Sequence, residues 1–482
     1  MLVLKCRSCV KAFLNGKKLY AKNIMKLRLK TTIFIATVWF FFFNSSCYAQ
    51  FALIRDAQTE KFLRELCDPI FVSAKLNPDD ISIYVVNDST INAFVSGGQN
   101  IFINTGLIRK YETPNALIGV VAHEVGHITS GHIARSSEEI QSATTTMFLS
   151  YLLGIGAVIA GSPEAGQGII LGGSDFAQKL YLKFSRTQEE AADRHALQYL
   201  EKIDYPPSGL VELLEFFETQ NRGYQGQINE YAQSHPISRK RIDYLKSNIK
   251  KKSDDKKINQ KLQPQMNIVL AKLEAFIDNP DLVIKKYEND ESEIANYEKA
   301  IAFYRKGKTA QALELLDKII LENKNDGFLY ELKAQILYES NNVSEAILVY
   351  KKAIDLLSNR DSSQAKIYFA TAILSLKNND LSLIKMAIKN LKEAQKFEND
   401  NPFLFKQFAN AYNKIGDEAR SFAALAEYNF LVGDTEKAQK YGETAKEKFE
   451  ENKNNNSAKS DLLRLDDLLE LIKNDKKSKN KT

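Results

Sequence analysis

Hydrophobic and polar positions change rhythm several times along the chain, and each rhythm predicts a different element. Ile33 to Phe43 is an apolar core of eleven residues. Apolar positions then recur at helical spacing over about 57–75. Short β-rich runs at about 81–86, 91–95 and 100–104, broken by turn formers, predict a small sheet. After Thr113-Pro114, the residues Leu117, Val120, Val121 and Val125 form an apolar stripe, predicting a buried helix. Thr113 suits its cap and Pro114 its first position. Met147 to Ala160 is apolar over fourteen residues and runs into a Gly-rich stretch ending at Gly172-Gly173. That is too short and interrupted for a membrane span of about 20 residues. It reads as a buried core helix, or else as a mobile apolar lid over a cleft or a surface that touches membrane or partner.

A Lys/Asp/Asn-rich run over 246–262 predicts an exposed linker, followed by a helix at about 264–277 and Pro280. From about 293 the pattern repeats. Ala300, Phe303, Gly307, Ala312, Leu316 and Ile319 are matched 34 residues on by Ala334, Leu337, Asn341, Ala346, Tyr350 and Ala353. Ala387, Leu391 and Ala394, then Ala409, Tyr412, Gly416, Ser421 and Leu425, continue the array, and Ala426, Gly433, Ala438 and Ala445 close it. Small residues let paired helices approach and large ones fill the seam, so this is the signature of a stacked tetratricopeptide-type solenoid with a concave binding surface. Residues 451–482 read as an Asn/Lys-rich tail around one amphipathic helix at about 458–473, with a disordered end.

Lys26, Arg28 and Lys30 precede the first apolar core, and Cys47-Tyr48-Ala49 places small residues for cleavage before Gln50, which together predict a signal peptide over 25–49. Met25 is a candidate start. Lipidation at Cys47 is the rival reading, weakened because Asn44-Ser45-Ser46 lacks a lipobox leucine. The net charge of +6 misleads: residues 1–49 hold nine Lys/Arg and no Asp/Glu, so the remainder carries −3. That removes any global electrostatic case for nucleic acid. Cys67 is the one cysteine beyond the leader, so no internal disulfide is expected.

His123-Glu124-Val125-Gly126-His127 is an H-E-x-x-H motif on the predicted helix. Its two imidazoles leave one face a turn apart, a spacing that holds zinc, and Glu124 is placed as general base. Gly126, between the ligands, lets another backbone approach. His132, five residues past His127, points about 140° away on a continuing helix. Gly131 and His132 also miss the metzincin spacing. A hydrolytic zinc needs a third ligand, and Glu189 is the best candidate, with Asp193 four residues on sharing its face. Alone, that pair reads as a solvated helix face. Beside H-E-x-x-H, Glu189 reads as a ligand and Asp193 as the acceptor that orients a ligating histidine. Glu190 lacks such a partner.

With Glu189-Glu190-Ala191-Ala192-Asp193, Ser234-His235-Pro236 and Arg241-Ile242 added to the first motif, the chain resembles the HtpX/CaaX-protease-type zinc metallopeptidases. It looks most like the periplasmic BepA-like branch, which joins that domain to tetratricopeptide repeats. The resemblance covers roughly residues 50 to 450. It implies one Zn2+ held by His123, His127 and Glu189, Glu124 as catalytic acid/base, and Asp193 behind the ligands. It further implies His235 as a regulatory fourth ligand that keeps the site latent, and Arg241 near the oxyanion. The strand–Gly-Gly–strand segment fits the family too, with Gly97, Gly98, Gln99, Asn100 and Ile101 expected at the substrate, although a plain structural hairpin would look the same.

The expected fold is an α+β zincin-type metallopeptidase domain, mostly helical with a small sheet, followed by an all-α tetratricopeptide-repeat solenoid. The expected boundaries are a leader at 1–49, a peptidase domain at 50–246, a charged linker and connecting helix at 247–292, repeats at 293–450 and the tail beyond. The resemblance implies a periplasmic zinc endopeptidase acting on misfolded or stalled outer-membrane proteins. It also implies docking to the outer-membrane assembly machinery through the repeats, with peripheral membrane contact as an option. The rival is a chaperone or adaptor whose zinc site stays closed.

Overall fold

The computed structural model describes residues 52–96, 99–131, 186–223, 231, 235–249, 255–451 and 459–479. All belong to one compact unit, Gln50–Thr482. The expected leader, Gly97, Gly98, His132, the Met147–Ala160 stretch and Gly172-Gly173 lie outside the described residues.

The described chain opens with strand β1 (Ala52–Ile54), which at three residues is too short to show a period in the sequence. Asp56 caps helix α1 (Ala57–Ser73) by accepting the Thr59 N–H. Phe62, Leu63, Leu66, Cys67 and Ile70 turn its apolar face into the core. Strands β2 (Ser82–Asn87), β3 (Ala93–Ser96) and β4 (Asn100–Asn104) complete a sheet of order β1-β2-β4-β3. β2 and β4 are parallel and the other two pairs antiparallel. β4 is therefore central and β3 an edge.

Helix α2 (Thr105–Lys110) leads into α3 (Asn115–Thr129), which carries the H-E-x-x-H motif. α3 starts just after Pro114 and no side chain caps it, so Thr113 does not play the expected part. Burial holds the helix instead: every residue from Asn115 to His127 is buried. Helices α4 (Arg186–Lys202) and α5 (Ser208–Gly223) cross it closely. A Cβ on Gly126 would lie 2.6 Å from the Ala192 carbonyl oxygen, and one on Gly119 2.4 Å from the Leu210 nitrogen. The approach expected at Gly126 is thus made by α4, and it brings Glu189 and Asp193 over the two histidines. Helix α6 (Arg239–Asn248), capped by Ser238, packs against α4 and α5.

Helix α7 (Asp255–Ile277) begins well before the expected 264 and absorbs much of the expected linker. Ile258 and Leu262 explain this, since both bury in the core. α7 has two apolar faces. Leu262, Met266, Val269 and Leu273 join the core around α1 and α3, whereas Ala271 and Ala275 join that of the following helices.

After α8 (Pro280–Lys286) the chain runs as helix pairs: α9 (Glu293–Arg305) with α10 (Thr309–Glu322), then α11 (Gly327–Glu339) with α12 (Val343–Leu356). α13 (Ser363–Ser375) pairs with α14 (Leu381–Ala394), and α15 (Pro402–Lys414) with α16 (Glu418–Leu431). α17 (Thr435–Glu451) and α18 (Lys459–Lys479) finish the array. Ala300 and Ala334 are fully buried, as are Ala312 and Ala346. Gly307 and Asn341 reverse the chain at the left-handed φ of 71° and 66°. α18 runs on to Lys479, past the expected 473, and Leu465, Leu468 and Ile472 bury in the core of the last helices. No helix among the described residues is long and apolar enough to cross a membrane.

Glu331 on α11 faces Lys272, Asp56, Glu60 and Asp361 where the helical array meets α1 and α7. Burial and the three carboxylates outweigh Lys272 and raise its carboxyl from 4.5 to about 8. The folded protein therefore holds a proton that the unfolded chain releases between those values, and stability falls as pH rises through that window. Glu331→Gln should leave the melting temperature unchanged near pH 4.5 and raise it at pH 9. Melting curves at the two pH values check this, and an equal shift at both would contradict it.

Candidate metal centre

Four buried side chains from two helices and one loop converge. His123 and His127 come from α3, Glu189 from the first turn of α4, and His235 from the loop before α6; their ligand atoms all lie within 4.8 Å of one another. His123 Nε2 is 3.1 Å from His127 Nε2 and 3.4 Å from His235 Nδ1. Glu189 Oε1 lies 3.3 Å from His127 Nε2 and 3.2 Å from His235 Nδ1, and Oε2 is 3.4 Å from His123 Nε2. Four N/O ligands about 2.0–2.1 Å from a tetrahedral ion stand about 3.3–3.4 Å apart. The spacing and the donor set both fit such a cation.

The titration of the cluster shows the same demand. Burial opposes charge on His123, yet hydrogen bonds with Asp193 and Glu189 raise it to about 9. Burial, with His123 and His235 nearby, pushes His127 down to about 3 despite its bond to Glu189. Burial works against ionisation of Glu189, but the surrounding imidazoles hold its carboxyl far below the usual range. A proton on His123 Nε2 would therefore compete with a cation for one lone pair.

Asp193 stands directly behind the cluster. Its Oδ1 lies 2.9 Å from His123 Nδ1, which keeps a proton on Nδ1 and turns Nε2 inward. Arg241 grips the same carboxylate twice, Nε donating to Oδ2 at 2.7 Å and Nη2 to Oδ1 at 2.8 Å. Its Nη1 is 2.7 Å from Glu189 Oε2 and donates to the Pro236 carbonyl at 3.1 Å. Burial resists ionisation of Asp193, but Arg241 and His123 bring it down to about 2. All three side-chain nitrogens of Arg241 thus contact Asp193, Glu189 or the Pro236 carbonyl.

Glu124 is 1% exposed, with Oε1 3.4 Å from His235 Nε2. Burial raises its carboxyl pKa, which His235 and His123 only partly offset, and it accepts a hydrogen bond from the Val95 backbone. That bond places edge strand β3 beside the carboxylate. Asn100 and Ile101, expected at the substrate, lie in central β4, paired to Ser82 and Ile83 on one side and to Ser96 and Val95 on the other, and Ile101 is fully buried. Among the described residues Ala93–Ser96 has no strand on its outer side, and Gln99 sits in the turn before β4.

Glu189 and Glu190 separate as expected: Glu189 faces inward, and Glu190 pairs with Lys240 outside. Sequence reasoning missed Tyr231, whose ring stacks on His235 at 4.7 Å and on Phe217 at 4.9 Å. An aromatic four residues before a loop histidine was its only trace.

Two crossed helices that bring His, His and Glu together beside a buried carboxylate define a metallopeptidase-type domain. Residues 55–249 match the model for Peptidase family M48, so the chain carries an M48 domain. It is 25% identical over 323 residues to the Beta-barrel assembly-enhancing protease of Yersinia pestis, covering 65% of each chain. Identity to the Escherichia coli K12 protein of the same name is 24% over 322 residues, 63% of each. The E. coli Metalloprotease LoiP is 27% identical over 173 residues, 36% of this chain and 63% of that one. The chain thus spans slightly under two thirds of the length of these first relatives.

Proposed function

We propose that this protein is a zinc-dependent endopeptidase of the cell envelope that degrades misfolded or stalled outer-membrane proteins. The observation that carries the reading is a buried carboxylate, Glu124, beside four converged side chains able to hold a metal. A purely structural metal site needs no such carboxylate. When bound, zinc polarises a water and a peptide carbonyl. Glu124 accepts the proton of the attacking water and returns it to the leaving amine. Asp193 and Arg241 keep His123 and Glu189 in register. Strand β3 receives an extended substrate along its open edge.

The names of the relatives and the sheet-edge geometry support polypeptides of β-barrel proteins as the substrate class. The leader supports export to the periplasm. The helix pairs read as tetratricopeptide repeats over 293–450, an arm for the assembly machinery or the client, after a peptidase domain at 50–246. The second reading, an adaptor with a latent site, is favoured by His235, whose Nδ1 would hold the metal in the position a water would otherwise fill.

Degradation of casein by the chain from residue 50 onward tests both readings. Wild type should cleave slowly, His235→Ala should be about tenfold faster as general-base chemistry gains its water, and a chelator should stop both. Zinc bound by both proteins with no cleavage by either would leave the adaptor.

A further inference from the structure

Among the described residues a second candidate site lies beside β2, whereas the metal centre lies beside β3. A cavity of about 490 Å³ lies between α1, the start of β2, the N-terminus of α13 and the turn at 397–400. Three observations bear on what fits it. First, β1 pairs only with Val85–Asn87, so Ser82 and Ile83, on the cavity wall, have a strand neighbour on the β4 side alone among the described residues. Second, Gln364 lines the cavity at 6% exposure, and its side-chain nitrogen is a buried donor with no partner among the described residues. Buried donors are almost always satisfied, so this one asks for an acceptor.

Third, the arginines of the wall are already committed. Arg55 bridges Glu60 and Glu398, Arg64 binds Asp68 and the Pro78 carbonyl, and Arg360 pairs with Asp79. Lys61 faces Asp361, so a phosphate or free carboxylate would find exposed Lys261 as the uncommitted cation among the described residues of the wall, opposed by Glu65, Glu398 and Asp400. Beside these charges the cavity offers the main chain of Ser82 and Ile83, with apolar contact from Ile83 and the 38%-exposed Phe397. That is the chemistry of an extended peptide.

We propose that this cavity captures an extended, unfolded polypeptide segment, added antiparallel to β2 in line with β1, with Gln364 donating to one of its carbonyls. The two sides of one sheet then divide the work, capture beside β2 and cleavage beside β3. The idea rests on the reading that substrates are polypeptides, but its test needs no turnover.

A fluorescein-labelled unfolded peptide of about ten residues, long enough to extend as a strand, is titrated into the full chain carrying Glu124→Gln, with affinity read by anisotropy. A photo-crosslinking residue placed at Ser82 should capture the peptide. Gln364→Leu should weaken binding about fivefold, the loss of one hydrogen bond, with a melting temperature unchanged or raised because an unmet donor has gone. Phe397→Ser, at a half-exposed position, should weaken it comparably. No cross-link at Ser82, with affinity unchanged in both variants, would mean a merely water-filled junction and overturn the proposal. Cross-linking at Ser82, with no hydrolysis of an unfolded substrate by the protein that keeps Glu124, would keep the capture site and remove the peptidase reading.

Discussion

Glu124→Gln is expected to lower hydrolysis about 10²–10⁴-fold, the contribution of a positioned general base, while metal content stays at the wild-type level. The amide keeps the size of the carboxylate and can still accept from the Val95 N–H, but it takes up no proton from water. The wild-type carboxyl is buried, its pKa raised by that burial, and 3.4 Å from His235 Nε2. An uncharged replacement therefore removes a charge the fold does not favour, and the melting temperature should hold or rise slightly. Initial rates on an unfolded protein substrate, with zinc measured on the same samples, decide the matter. Activity within tenfold of wild type would place the base elsewhere.

The parts of this site that sequence made legible are those set by local geometry. A helix fixes the angle between residues one turn apart, so the H-E-x-x-H pair could be read as one face before any fold was known. The same periodicity separated Glu189 from Glu190. Its limit appears at Asn100 and Ile101. Local pattern gives a strand–break–strand hairpin correctly, but not which of the two strands another strand will cover. β2, parallel and just before the hairpin in sequence, takes the outer side of β4 and leaves β3 as an edge. The charged stretch before 264 failed for a related reason. Lys and Asp dominate its composition, while the fold turns on Ile258 and Leu262, whose burial depends on the core around α1. The Arg241 motif could be recognised, but its partners come from another helix, and only the packing shows that it braces the ligands.

That bracing gives Arg241→Met a large expected cost. Arg241 is 1% exposed and holds Asp193 through two short hydrogen bonds, with Glu189 Oε2 2.7 Å from its Nη1. Removing it strands two buried carboxylates that still face His123. Breaking a buried pair by deleting one partner costs about 3–5 kcal/mol. For a domain of this size that is a melting-temperature loss of about 10 °C. Zinc affinity should fall about 10–100-fold, as when a ligand loses its outer support. Asp193→Asn on the same background removes one stranded charge and should recover part of the stability, a coupling that a double-mutant cycle measures. An Arg241 that served the oxyanion would behave differently. Its methionine variant would keep wild-type melting and metal while kcat alone collapsed, and the four proteins, compared by calorimetry, zinc content and turnover, separate the two roles without ambiguity.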